Sequence, residues 1–155
     1  MESKTRVHAQ DDRQDIVITR EFDLPLELLF KAYQEPALFE QWMGTKVLKM
    51  ENKQHGSYAF ETSHNGQVVF RAHGTIHEFV PNQSITRTFE MENAPLPAQL
   101  EYLEFEALTA STSKLTMHIV FKSVAFRDQL MQMPFAQGLN MAHNRLQEIV
   151  STLKS

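Results

Sequence analysis

The seven histidines are the residues best suited to metal chemistry in this 155-residue chain, because it contains no cysteine. Two of them, His73 and His77, have the four-residue spacing that brings two metal ligands together on a helix. Their surroundings alternate as in a β-strand, where four residues span about 13 Å, too far for two rings to share an ion. The missing cysteine also excludes disulfides and thiolate metal sites. We therefore predict no metal site and no cofactor.

Nucleophilic and acid–base catalysis find little support in the sequence. No Gly-x-Ser-x-Gly motif and no glycine-rich phosphate loop is present. Glu101, Glu104 and Glu106 resemble paired carboxylates, but a solvent-exposed strand explains them more simply. No catalytic residue is predicted from these motifs.

Two cations, Arg87 and Arg145, have apolar neighbours at their strand or helix positions. Arg87 shares a strand face with Ile85 and Phe89, so its guanidinium enters the interior if this face points inward. There it needs a partner or an anionic ligand group. The slightly favoured alternative is that a bulge or strand end lets the side chain reach solvent.

Large aromatic and sulfur-containing side chains are the other candidates for a binding site, although they would serve equally well as an ordinary core. Tyr102 is one of the aromatic side chains that could surround a ligand. An apolar pocket with a few polar anchors is the usual form of a small-molecule site. The predicted ligand-binding residues are Trp42, Tyr58, Phe60, Arg87, Phe89, Phe105, Met117 and Met141.

Composition and charge narrow the class of protein. Hydrophobic residues make up 42% of the chain, as in a globular protein with one core. The formal net charge is -4 and no run of Lys and Arg occurs, so nucleic acid is not an expected partner. Residues 1–14 lack the apolar stretch of a signal peptide or membrane segment, which predicts a cytoplasmic protein without a membrane span.

The elements that position these residues begin with a strand and two short helices. After a flexible arm over residues 1–14, β-branched residues alternate over 15–22. Residues 25–34 carry apolar side chains at helical spacing. Pro36 separates this helix from a second one, which is expected to end at Gly44.

Beyond Gly44 the hydrophobic pattern has the period of two that is typical of strands. One face is apolar and the other polar, as in an antiparallel sheet with one solvent-exposed side. A short helix is expected over 124–132, and a long one from Phe135 whose apolar stripe needs the sheet as its partner. Arg145 lies at the edge of that stripe, where solvation is the expected role. The predicted strands cover residues 47–51, 58–62, 67–80, 84–92, 99–109 and 113–122.

Three segments carry a pattern that is specific in its order and spacing. They are ITREFDLPLELLFKAYQEPALFEQWMG, HGTIHEFVPNQSITRTFE and FAQGLNMAHNRLQEIVSTL. Together they resemble the START-like (SRPBCC) superfamily and, within it, the group related to the activator of Hsp90 ATPase, over about residues 15–153. Met43 and Leu139 replace tryptophans of that group's pattern, and Asn82 replaces a proline.

The resemblance implies an α+β helix-grip fold over residues 15–155 as a single domain. A curved antiparallel sheet of six or seven strands would wrap around the long C-terminal helix, with two short helices after the first strand. Members of the superfamily bind apolar molecules between sheet and helix. We therefore predict binding of a small hydrophobic or aromatic molecule by a monomer or homodimer. A chaperone-associated protein-interaction module without a ligand is the alternative. An enzyme of the cyclase or hydrolase kind, which the resemblance also implies, is the least favoured of the three functions.

Overall fold

The computed structural model describes residues 4–92 and 94–154. The described residues follow the predicted order of a strand, two short helices, six strands and a long helix, preceded by one further short strand. The elements are β1 (Arg6–His8), β2 (Asp15–Phe22), α1 (Leu26–Gln34), α2 (Pro36–Met43), β3 (Lys46–Met50), β4 (Ser57–His64), β5 (Gln67–Val80), β6 (Ser84–Met91), β7 (Gln99–Ala107), β8 (Ser113–Val120), α3 (Val124–Gln132) and α4 (Phe135–Ser151).

The eight strands of the described residues form one antiparallel sheet in the order β1-β2-β8-β7-β6-β5-β4-β3. The early strand β2 therefore lies beside the last strand β8, and α1 and α2 carry the chain from there to β3 at the far edge. Register shifts interrupt β3, β4 and β5, for example between Ile76 and Glu78. Such bulges bend and twist strands, which helps the sheet to curve. The predicted α+β helix-grip fold is confirmed.

Strand β1 falls in the segment that the sequence analysis assigned to an N-terminal arm. Its three residues pair with β2, and Val7 packs against the core. A strand this short shows no alternation that sequence analysis can detect. Residues 1–3 of the predicted arm lie outside the described residues.

Helix α4 packs its apolar stripe against the sheet and the two short helices. Its Ala142, Leu146 and Val150 join the same core as the alternating inward residues of β2, β7 and β8. Helix α2 ends at Gly44 as predicted, because Gly44 has a φ of 65°, in the left-handed region that favours glycine. Helix α2 lies beside α4.

Gly138, in the first turn of α4, is expected to lower the stability of the helix. A Cβ added there would meet no atom within 4 Å. Alanine loses less backbone entropy in a helix, so we expect Gly138→Ala to raise the free energy of unfolding by about 0.5–1 kcal/mol. Urea denaturation followed by circular dichroism measures the change, and a midpoint equal to or below that of the wild type would contradict it.

Candidate ligand-binding cavity

A cavity of about 340 Å³ lies between the sheet and helices α1 to α4. Its volume is at the small end of the range for small-molecule sites. Most of its wall is apolar, and five polar or charged residues complete it: Tyr33, Arg87, Gln99, Glu101 and Arg145. The apolar lining consists of Ile18, Phe39, Trp42, Met43, Phe60, Phe70, Phe89, Met91, Met117, Ile119, Leu130, Pro134, Phe135, Gly138, Leu139 and Ala142.

Arg87 and Glu101 form a buried ion pair in the wall of the cavity. They are directly opposite each other on β6 and β7, and Nε of Arg87 donates to Oε1 of Glu101 at 2.9 Å. Their side chains are only 15% and 5% exposed. Nε2 of Gln99 donates to the other carboxylate oxygen at 2.8 Å. Each oxygen of Glu101 therefore has a donor, as a buried carboxylate requires.

The guanidinium of Arg87 is also held by an aromatic ring. Its central carbon lies 5.3 Å from the ring centroid of Tyr58, a cation–π distance. The Tyr58 hydroxyl donates to the carbonyl oxygen of Thr88 on β6. Burial opposes the charge of Arg87, but its attraction to Tyr58 and Glu101 outweighs that effect and raises its pKa. Arg87 is therefore a fixed cation.

Tyr33 contributes a phenol to the same cavity wall. The residue is 5% exposed, and burial raises the pKa of its hydroxyl, so that it is a neutral donor. Within residues 4–92 and 94–154 this hydroxyl has no hydrogen-bond partner, and neither Nη atom of Arg87 has one. The cavity thus contains hydrogen-bond donors that the described protein leaves available.

The predicted ligand-binding residues divide into two groups. Three of them are not among the residues that line the cavity. The ring of Tyr58 packs against the guanidinium of Arg87. Phe105 packs in the core with its ring centroid 4.9 Å from that of Phe30, and Met141 on α4 is 52% exposed. Ligand contact by any of them stays a prediction. Those that line the cavity are Trp42, Phe60, Arg87, Phe89 and Met117.

Two sequence interpretations of charged residues are wrong. Glu101 is buried, whereas Glu104 and Glu106 are exposed as expected. Glu101 has the strand parity of inward-facing Leu103, so the signal was present in the sequence. Arg87 does not extend into solvent, because its partner on the neighbouring strand holds it inside. Tyr33 and Gln99 are cavity residues that the sequence analysis did not identify.

Arg145 connects helices α2 and α4 at the side of the cavity. It is exposed, as expected at the edge of the α4 stripe, but it also lines the cavity. Its Nε donates to the carbonyl oxygen of Trp42 at 3.0 Å. This bond ties the end of α2 to α4.

His143 of α4 is a buried titratable group next to the cavity wall. Its ring lies between Phe22 and Trp42, and its Nδ1 is 2.6 Å from the hydroxyl oxygen of Thr5. Its Nε2 has no hydrogen-bond partner among the described residues. Burial, and secondly the charge of Arg20, lower its pKa from 6.5 to about 3. The ring is therefore neutral near pH 7.

We expect His143 to make the protein less stable as the pH falls. The unfolded chain binds this proton near pH 6.5 and the folded protein only near pH 3, so between those values the unfolded state holds more protons. The free energy of unfolding then decreases with falling pH, by up to about 1.4 kcal/mol per pH unit from this residue. His143→Gln should flatten that dependence in urea denaturation between pH 7 and 5; equal slopes for variant and wild type would contradict the assignment.

Most of the chain matches the sequence profile of one protein family. The sequence profile of the family described as "Activator of Hsp90 ATPase homolog 1-like protein" matches residues 23–151, from the end of β2 to the end of α4. The chain belongs to this family. The resemblance seen in the sequence is thereby confirmed, while no curated protein matches the chain significantly.

Solved structures share the fold of this activator of Hsp90 ATPase homologue 1-like chain. A Rhodobacter sphaeroides protein has a TM-score of 0.84 at 16% identity and covers 96% of this chain and 99% of its own. A Mycobacterium smegmatis protein has a TM-score of 0.82 at 19% identity, with 94% and 96% covered. An Arthrobacter aurescens protein has a TM-score of 0.83 at 16% identity, with 95% and 91% covered. At these identities the similarity shows the fold alone.

Two of the three departures from the pattern of the activator of Hsp90 ATPase homologue 1-like group change the cavity wall. Met43 and Leu139 both line the cavity. Asn82, in the turn between β5 and β6, has a φ of 61°, which a proline ring cannot adopt.

None of the helices in the described residues is long and apolar enough to cross a membrane.

Proposed function

We propose that the protein binds a small hydrophobic or aromatic molecule in the cavity between the sheet and α4. The observation that carries this proposal is the apolar cavity of about 340 Å³ with polar groups in its wall. Apolar lining provides affinity through the burial of ligand surface, and a few polar groups fix the orientation.

The size of the cavity supports a binding role. Protein interiors are close-packed, and voids larger than a water molecule are few. Neighbouring parts of the core follow this rule, since the rings of Phe30, Tyr33 and Phe105 have centroids 4.9 and 5.3 Å apart. The cavity therefore lies beside a closely packed part of the core.

The wall includes an entrance. Pro134, Gly138 and Arg145 line the cavity and are exposed to solvent, so a ligand has a route between α4 and the neighbouring elements. Ala142, one turn further along α4, lines the interior and is only 6% exposed. A larger side chain at Ala142 would occupy the space proposed for the ligand.

Native mass spectrometry of freshly purified protein tests the proposal. We expect a bound molecule of defined mass on the wild type and on Ala136→Trp, whose exposed position on α4 lies outside the cavity lining. Ala142→Trp, confirmed as folded by circular dichroism, should carry none. Bare wild-type protein, or a folded Ala142→Trp variant with the same molecule bound, would count against the cavity and favour the chaperone-associated module.

A further inference from the structure

We infer that the cavity selects a neutral aromatic molecule with a carbonyl-type hydrogen-bond acceptor, over an anion or a hydrocarbon of the same shape. This inference rests on the proposed function and names the class of ligand. It follows from three features of the wall: a neutralised ion pair, unused donors and aromatic side chains.

The ion pair disfavours an anionic ligand. The carboxylate of Glu101 already neutralises Arg87 at 2.9 Å, and both groups are nearly buried. An anion at Arg87 would face this carboxylate or displace it. Displacement would leave Glu101 as a buried charge without its cation, which is strongly unfavourable.

The unused donors disfavour a hydrocarbon. Nε of Arg87 and the amide of Gln99 donate to Glu101. The Nη atoms of Arg87 and the hydroxyl of Tyr33 have no acceptor in the described part of the chain, although both residues line the cavity. A hydrocarbon would cover these donors without pairing them, whereas a carbonyl oxygen accepts a bond and adds no charge.

The aromatic lining determines the body of the ligand. Phe60 and Phe89 have ring centroids 6.2 Å apart, and Trp42 lies in the same lining. Flat rings offer faces and edges that pack favourably against another aromatic ring. An aromatic ketone, ester or amide with one or two fused rings combines these requirements.

Three probes of nearly equal shape separate the alternatives: 2-acetonaphthone, 2-ethylnaphthalene and 2-naphthoate. Trp42 is the only tryptophan of the chain, and its indole N–H donates to Ala32 at 2.8 Å. Its single indole signal in ¹H–¹⁵N spectra therefore reports cavity occupancy in a titration. We expect 2-acetonaphthone to bind about tenfold more tightly than the other two, the difference typical of one hydrogen bond.

The outcomes distinguish the inference from the proposed function. Binding of 2-naphthoate or 2-ethylnaphthalene at least as tightly as 2-acetonaphthone would overturn the inference and leave the proposed function in place. A Trp42 signal that none of the three probes moves would overturn the proposed function, and the inference with it.

Variants test the Tyr33 hydroxyl as a donor and the Glu101 carboxylate as the group that neutralises Arg87. Tyr33→Phe should weaken 2-acetonaphthone about tenfold and should not weaken 2-ethylnaphthalene, which no longer covers an unpaired hydroxyl. Tyr102→Phe is the matched control, because Tyr102 is 39% exposed and lies outside the cavity lining. Glu101→Gln, if it folds, should reverse the preference toward 2-naphthoate by exposing the charge of Arg87. Equal losses in both tyrosine variants would contradict the assignment of Tyr33 as a donor.

Discussion

Replacing Glu101 by alanine is expected to lower the free energy of unfolding by about 3 kcal/mol, because Arg87 would remain as a buried cation without its partner. The Arg87 side chain is 15% exposed, so the cavity gives the guanidinium some access to solvent. We therefore expect the lower part of the range for broken buried pairs. Urea denaturation followed by circular dichroism provides the measurement.

Two comparisons make this prediction specific. In the matched control Glu61→Ala the lost partner, Arg71, has a 43% exposed side chain, and we expect a loss below about 1 kcal/mol. The double variant Arg87→Met with Glu101→Leu removes both charges and should recover most of the stability. A Glu101→Ala protein as stable as Glu61→Ala would show that the pair is not desolvated.

Gly74→Ala is expected to destabilise the protein by about 3 kcal/mol and to disturb the cavity at the same time. A Cβ at Gly74 would overlap the backbone carbonyl of Thr88 and lie 2.6 Å from the hydroxyl oxygen of Tyr58. The carbonyl of Thr88 belongs to the backbone of β6, so it cannot move aside by changing a side-chain rotamer. Strands β5 and β6 would have to separate, and Tyr58 would move away from Arg87.

Gly138→Ala is the matched control for this second prediction, since the same change is expected to stabilise α4. Opposite signs at the two glycines would show that local space decides the effect. Weaker binding of 2-acetonaphthone by folded Gly74→Ala would show that Tyr58 positions Arg87. If Gly74→Ala and Gly138→Ala have the same stability, the close approach of β5 to β6 does not constrain the sheet.

Local signals in the sequence were sufficient for most of the fold. Alternation identified β7 and β8, whose inward residues are buried at every second position. Chain breakers identified the boundary at Pro36 and the end of α2 at Gly44. The bulge between Ile76 and Glu78 was not predictable, because it depends on how β5 pairs with β6.

The candidate site was only partly predictable, for reasons that differ between residues. Parity assigned Arg87 to an apolar strand face, but a side chain reaching solvent was slightly favoured. The partner that holds it inside depends on the register that brings Glu101 opposite on β7. The helical spacing of Tyr33 shows that it is buried and cannot show whether its hydroxyl meets a cavity or packed atoms. Met141 lies about 100° from Ala142 around α4, and it is not among the residues that line the cavity.

The pairing of β2 with β8 has a consequence for how the chain is made. Asp15 is opposite Val120 and Phe22 is opposite Ser113, so about a hundred residues must be synthesised before β2 meets its main partner. During that interval the edge of β2 that pairs with β8 is without its partner, and Ile16 and Ile18 lack most of the core that they join in the folded protein. Contacts this distant in sequence slow folding. We therefore expect the nascent chain to expose an unpaired edge of β2, the kind of edge that promotes aggregation, until β8 has left the ribosome.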